Sequence, residues 1–166
     1  MSWALSQRNA LYYNPVTIDI SEVIEDLVIV FKGIADDKNI KFDTELTALP
    51  IRIDLHSFIG ICRNLIDNAL KFTPVGGTIS INYNAIEANL QLCVSDTGVG
   101  MTEEQKNKLF KVTALKNTKG TLGETGSGIG LNLVQELVTL NRGTIRAESK
   151  IGEGTSFYVM FPDAVI

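Results

Sequence analysis

Asn64, Asn68 and Lys71 recur at about one-turn spacing, with Arg63 and Asp67 beside them. On a helix of about 3.6 residues per turn they share one side, and Phe58, Ile61, Cys62, Leu65, Ile66 and Ala69 fall on the other. Two asparagines in a helix interior are poor helix formers, where Glu, Lys or Gln would serve solubility better. Their amide oxygens are neutral, hard ligands of the kind Mg²⁺ accepts when a triphosphate supplies the negative charge. Lys71, a turn further on, could face a phosphate. A solvated helix face accounts for any single one of these residues as well.

Two glycine-rich segments carry further chemistry. Asp96-Thr97-Gly98-Val99-Gly100 follows an alternating apolar stretch. An Asp at a strand end can accept a hydrogen bond from the exocyclic amine of adenine, and Gly98 and Gly100 let a flat base approach the backbone. Guanine presents an oxygen there and would be repelled. An ordinary turn explains the same five residues, since Asp and Gly dominate turns. Gly126-Ser127-Gly128-Ile129-Gly130 opens a helix, where unpaired N–H groups and the helix dipole favour phosphate. Its spacing is neither a P-loop nor a dinucleotide fingerprint. Gly152-Glu153-Gly154-Thr155 reads as a hairpin turn and nothing more.

Positioning these residues requires a scaffold. Val16–Ile20 reads as a strand, and Ser21 with Glu22 and Glu25 opens a helix with apolar positions at Val23, Ile24, Leu27, Val28, Phe31 and Ile34. Ile40–Leu46 alternates as a strand. The asparagine helix runs from Asp54 or Leu55 to Phe72 and is stopped by Thr73-Pro74. Thr78–Tyr83 and Leu90–Ser95 form a strand pair turning near Glu87–Asn89. A short helix follows at Thr102–Phe110, a third main helix at Ile129–Leu140, and two strands at Gly143–Ser149 and Thr155–Phe161. Lys111 to Gly128 has no apolar period, and a structureless loop of that length is usually a functional lid. Hairpin-paired strands without regular βαβ alternation predict a two-layer α/β sandwich: a mixed, mostly antiparallel sheet covered on one face by three main helices.

Composition narrows the function classes. The chain has 166 residues, 45% hydrophobic and 20% charged, which suits one globular domain. A net charge of −4 argues against a nucleic-acid binder working by bulk electrostatics. Two cysteines and one histidine provide neither a disulfide framework nor a zinc ligand set. No apolar run is longer than that of Leu27–Phe31, far short of the roughly 18 residues of a membrane span, so no membrane contact is expected of this fragment.

In this order the segments resemble the ATP-binding domain of sensor histidine kinases, within the Bergerat-fold superfamily that includes Hsp90, MutL and type II topoisomerases. Asn64-Leu65-Ile66-Asp67-Asn68-Ala69-Leu70-Lys71-Phe72-Thr73-Pro74 is similar to the family's N box. Asp96-Thr97-Gly98-Val99-Gly100-Met101, Gly126-Ser127-Gly128-Ile129-Gly130-Leu131 and Gly152-Glu153-Gly154-Thr155-Ser156-Phe157 are similar to its three glycine boxes.

The resemblance implies ATP and Mg²⁺ as ligands. It implies Asn68 on the metal, Asn64 and Lys71 assisting at the phosphates, and Phe72 bordering the base. It further implies Asp96 reading adenine, Gly98 and Gly100 shaping that pocket, and Gly126, Gly128 and Gly130 wrapping the triphosphate from a mobile lid. Leu131 and Thr155, from the same boxes, complete the nucleotide-binding set. Phe110 fits one position of the family's aromatic box, while Val112-Thr113-Ala114 stands where a second aromatic is usual. Trp3–Gln7 resembles the end of a helix from the family's dimerisation and histidine-phosphotransfer domain. Residues 1–14 are therefore expected to be its remnant and 15–166 the ATP-binding domain. The implied partners are that histidine-containing domain of the same parent and a downstream response regulator receiver domain. The implied location is cytoplasmic, in a parent that this family often anchors in a membrane.

His56 lies 12 positions before Asn68, about 18 Å along one helix at about 1.5 Å per residue, too far to receive a phosphate held near Asn68. The phosphoacceptor is therefore expected on another domain. Two other functions compete. An ATPase of the Hsp90 or MutL branch would carry a glutamate one turn before the metal-binding asparagine, where this chain has Asn64. A nucleotide sensor or degenerate kinase would bind ATP without transferring it.

Overall fold

Residues 13–111, 120–121 and 130–166 are described by the computed structural model. The expected helix between Trp3 and Tyr12, Gly126, Gly128 and most of the Lys111–Gly128 segment lie outside the described residues.

Strand β1 (Pro15–Asp19) leads directly into helix α1 (Ile20–Asp37). The cap is Asp19, two residues before the expected opening at Ser21. Its carboxylate accepts from the Ser21 amide at 2.9 Å, the Ser21 hydroxyl at 2.7 Å and the Leu49 amide at 3.1 Å. An ionised carboxylate satisfies more donors than a hydroxyl, one of them here from a distant loop. Ile20, Ile24, Leu27, Phe31 and Ala35 are buried, whereas Ile34 is 52% exposed. Ala35, four residues after Phe31, takes the core position expected of Ile34.

β2 (Lys41–Thr44) is shorter than its apolar alternation. β3 (Pro50–Asp54) is an element that the sequence did not announce. It pairs antiparallel with β1 in a separate two-stranded sheet and buries Ile51 and Ile53. Five residues opening on proline and abutting a helix carry little strand signal. Proline is tolerated because it sits at the end of the ladder, opposite Asp19.

Helix α2 (Leu55–Phe72) has the predicted bounds. The Asp54 carboxylate accepts the Ser57 amide at 2.8 Å at its start. At its end the Thr73 amide and hydroxyl both donate to Ala69 O, at 3.0 and 2.6 Å. The main sheet comprises β2, β4 (Thr78–Ile86), β5 (Asn89–Asp96), β6 (Thr144–Lys150) and β7 (Gly154–Phe161), in the order β2-β4-β5-β7-β6. β2 runs parallel to β4 and the other pairs are antiparallel. The short α3 (Glu103–Lys108) is opened by a capping box of Thr102 and Gln105. Helix α4 (Gly130–Leu140) packs against α2 and β6.

Leu90, Leu92 and Val94 form the buried row of β5, facing the helices and sharing a core with Ile61, Leu65 and Val134. The period of two carries that row one step further, to Asp96. The strand therefore ends with a carboxylate drawn to the inner side, 8% exposed.

Candidate nucleotide site

Asp96 is the centre of the best-defined cluster. Its Oδ1 accepts from the Gly98 amide at 2.8 Å and the Thr155 amide at 3.3 Å. Among the described residues Oδ2 accepts no hydrogen bond. Burial pushes the carboxyl up to about 6, against the two backbone bonds that favour its charged form. One oxygen is thus fixed by the fold and the other left for an incoming donor.

Three glycines let backbones meet around this carboxylate. A Cβ on Gly98 would lie 2.5 Å from Asp96 Oδ1 and 2.5 Å from Phe72 O. At Gly100, with φ +67°, it would lie 1.9 Å from Lys150 O. At Gly154, with φ +99°, it would lie 1.8 Å from Asp96 O. Gly154 is therefore required by close approach to β5, which the hairpin reading of Gly152–Thr155 missed. The Phe72 carbonyl accepts the Val99 amide at 3.1 Å and ties the loop after Asp96 to the end of α2. Ser149 holds the far side, taking the Met101 amide at 2.9 Å and lying 2.8 Å from the Thr155 hydroxyl. Phe72, Asp96, Gly98, Gly100 and Thr155 thus form one connected group. A shallow depression of about 310 Å³ opens at this end of the sheet, lined by Asp96, Ser149, Thr155 and neighbours from β5 to β7, with no α2 residue among them. It borders the site on its hairpin side.

On α2 the expected polar face is present, with Asn64, Asp67, Asn68 and Lys71 half-buried. The Asn64 amide donates to Gly60 O at 2.7 Å. Its Oδ1 faces the start of α4, where a Cβ on Gly130 would come within 2.8 Å of it. Lys71 is paired with Asp67 at 2.8 Å, so a phosphate would compete with that carboxylate. The Asn68 side chain has no hydrogen-bond partner among the described residues. Leu131 is partly buried against the core. His56 is exposed in the first turn of α2.

The donor set suits Mg²⁺ brought in by phosphate. No group of three or more His, Cys, Asp or Glu side chains gathers among the described residues, so these residues offer a neutral amide and no anionic cage. Asn68 is the amide free to turn toward such an ion.

Sequence reasoning missed Lys38, Thr121 and Ser149. Lys38 lies within Asp36-Asp37-Lys38-Asn39 and reads as a solvated turn, yet it is 3% exposed. Ser149 carried a signal, since alternation along β6 turns it inward with Ile145 and Ala147.

Residues 54–165 match the family described as histidine kinase-, DNA gyrase B-, and HSP90-like ATPase. The sensor histidine kinase TmoS of Ectopseudomonas mendocina is 34% identical over 146 residues, covering 87% of this chain and 15% of that protein. The chain thus spans a small part of that relative. The catalytic domain of histidine kinase ThkA, nucleotide-free, superposes with a TM-score of 0.77 at 24% identity, covering 90% of this chain and 96% of that one. ThkA in complex with the response regulator TrrA gives 0.74 at 20% identity, covering 97% and 45%. Full-length ShkA in complex with AMPPNP gives 0.79 at 22%, covering 95% and 32%. At these identities the solved structures speak for the fold.

Proposed function

Since the chain belongs to the histidine kinase-, DNA gyrase B- and HSP90-like ATPase family, we propose that it is the ATP-binding catalytic part of a two-component sensor kinase. In this reading it binds ATP with Mg²⁺ and presents the γ-phosphoryl to a histidine on a separate dimerisation domain. Residues 15–166 form the ATP-binding domain and 1–14 end the preceding helix. A response regulator receives the phosphoryl group afterwards. The name of TmoS and the ThkA–TrrA complex support that chain of partners, and the ShkA complex with AMPPNP supports the nucleotide.

One observation carries transfer over hydrolysis. The helix position one turn before Asn68 holds Asn64, whose amide is bonded back to Gly60 O at 2.7 Å. An amide cannot take a proton from water at neutral pH, so this position supplies no general base. Catalysis then rests on placement and charge. Asp96 Oδ2 accepts the adenine amine, while Gly98 and Gly100 let the base lie against the backbone. Lys71 gives up Asp67 for a phosphate oxygen, and Asn64 and Gly130 bring α2 and α4 together beside it. Thr155 holds Asp96 Oδ1. Gly126, Gly128 and Leu131 complete the binding set. Asn68 would hold Mg²⁺, which would supply neutralisation of the triphosphate charge. The nucleophile comes from the partner domain.

Calorimetric titration with ATP, with and without Mg²⁺, tests the binding half. Asn68→Ala should weaken binding in Mg²⁺ by about tenfold or more and leave the metal-free affinity nearly unchanged. Equal losses under both conditions would refute a ligand role for Asn68.

A further inference from the structure

Lys38, just beyond α1, is a buried lysine with a defined target. Its ammonium donates to Leu70 O at 2.7 Å, reaches Lys71 O at 3.5 Å and meets the Thr121 hydroxyl at 2.8 Å. Thr121 grips the same helix end from the connection between α3 and α4. Its amide donates to Lys71 O at 2.9 Å, and its hydroxyl lies 3.1 Å from Lys71 O and 3.2 Å from Thr73 O. Burying an ammonium and ordering a long side chain are costly. The last carbonyls of a helix offset that cost, because they lack intrahelical donors and carry the negative end of the dipole.

The turn so held is the one that bears Lys71 and Phe72. Phe72 O accepts the Val99 amide at 3.1 Å and is the carbonyl against which Gly98 packs. A displacement of this turn therefore moves the phosphate-facing lysine and the loop after Asp96 together. Resting on the nucleotide reading above, we propose that Lys38 and Thr121 are positioning residues for the nucleotide, a clasp from two elements that fixes the last turn of α2. Neither needs to touch the ligand.

Titration of the chain and its variants with ATP and Mg²⁺ in a calorimeter tests the clasp. Thr121→Val keeps the shape and removes the hydroxyl, Thr121→Ser keeps the hydroxyl, and Lys38→Met removes the ammonium. Thr121→Val and Lys38→Met should each raise Kd about three- to tenfold at unchanged stoichiometry. Thr121→Ser should stay within about twofold of the parent, and the double variant should be little worse than Lys38→Met alone, since both prongs act on one turn. A merely structural role would unfold a share of the molecules, which circular dichroism reads as lost helix, and would raise Kd only by the inverse of the folded fraction or, where unfolding is irreversible, lower the stoichiometry; the clasp predicts the higher Kd in fully folded variants. If Lys38→Met does not fold, the Thr121 pair decides alone. An unchanged Kd in Thr121→Val, or Thr121→Ser behaving like Thr121→Val, would overturn the clasp while the parent still binds. No binding by the parent would overturn the nucleotide reading, and the clasp with it.

Discussion

The Asp96 carboxyl stands at about 6 because burial disfavours its charge more than the amides of Gly98 and Thr155 favour it. Its folded value lies above the ordinary one, so this group favours the fold below the usual carboxylate range. That contribution is lost as the pH rises through about 6. Nucleotide acts in the opposite sense, since an adenine amine donates to the ionised form. ATP affinity should therefore rise as the pH climbs through about 6 and level off above it. Asp96→Asn should flatten this contribution and weaken binding at about pH 8 by about tenfold or more, the worth of a hydrogen bond to a charged group. Calorimetry of both proteins across that range checks it, and the difference between the two profiles separates the carboxyl from titration of the phosphates. Parallel profiles would place the base elsewhere.

At the scale of elements, the loop between β5 and α3 is fixed by contact as much as by conformation. Gly100 and Gly152 both have positive φ, +67° and +78°. A Cβ on Gly100 would strike Lys150 O, whereas one on Gly152 would meet nothing within 4 Å. Gly152→Ala should cost about 1–2 kcal/mol of strain alone. Gly100→Ala should cost more, about 3 kcal/mol or above, because the loop must also leave the β6–β7 hairpin. Urea unfolding of the two variants compares them, and equal losses would deny the contact its role.

The same distinction separates what was legible in the sequence from what was not. Helix α2 declared itself through period, cap and Pro74, and β4, β5 and β7 through alternation. Local patterns record such features. β3 gave no comparable signal, because its identity as a strand depends on pairing with β1, 31 or more positions earlier in the register from Asp19 to Pro50. The need for glycine at position 154 depends on Asp96 O, and the burial of Lys38 on carbonyls of α2 and on Thr121. Contacts between distant segments leave no period behind. Asp96, Gly98 and Asn68 were legible as types and spacings, while the bonds that aim Asp96 had to be seen.

For the whole molecule, the mixed sheet places Asp96 at the end of its buried row and α2 across it. The apolar layer and the proposed site are thus made by the same elements. With Asn64 where a water-splitting base would stand, and His56 exposed at the far end of α2 from Lys71, the lone chain should turn over ATP very slowly and should not label itself. The decisive measurement is incubation with γ-labelled ATP and Mg²⁺, alone and mixed with the histidine-bearing dimerisation domain of its own parent protein. Label should appear on that domain, in a bond stable to base and labile to acid, as a phosphorus–nitrogen bond is once its nitrogen is protonated. Rapid release of labelled phosphate by the chain alone, or ATP binding without any transfer to that domain, would contradict the account.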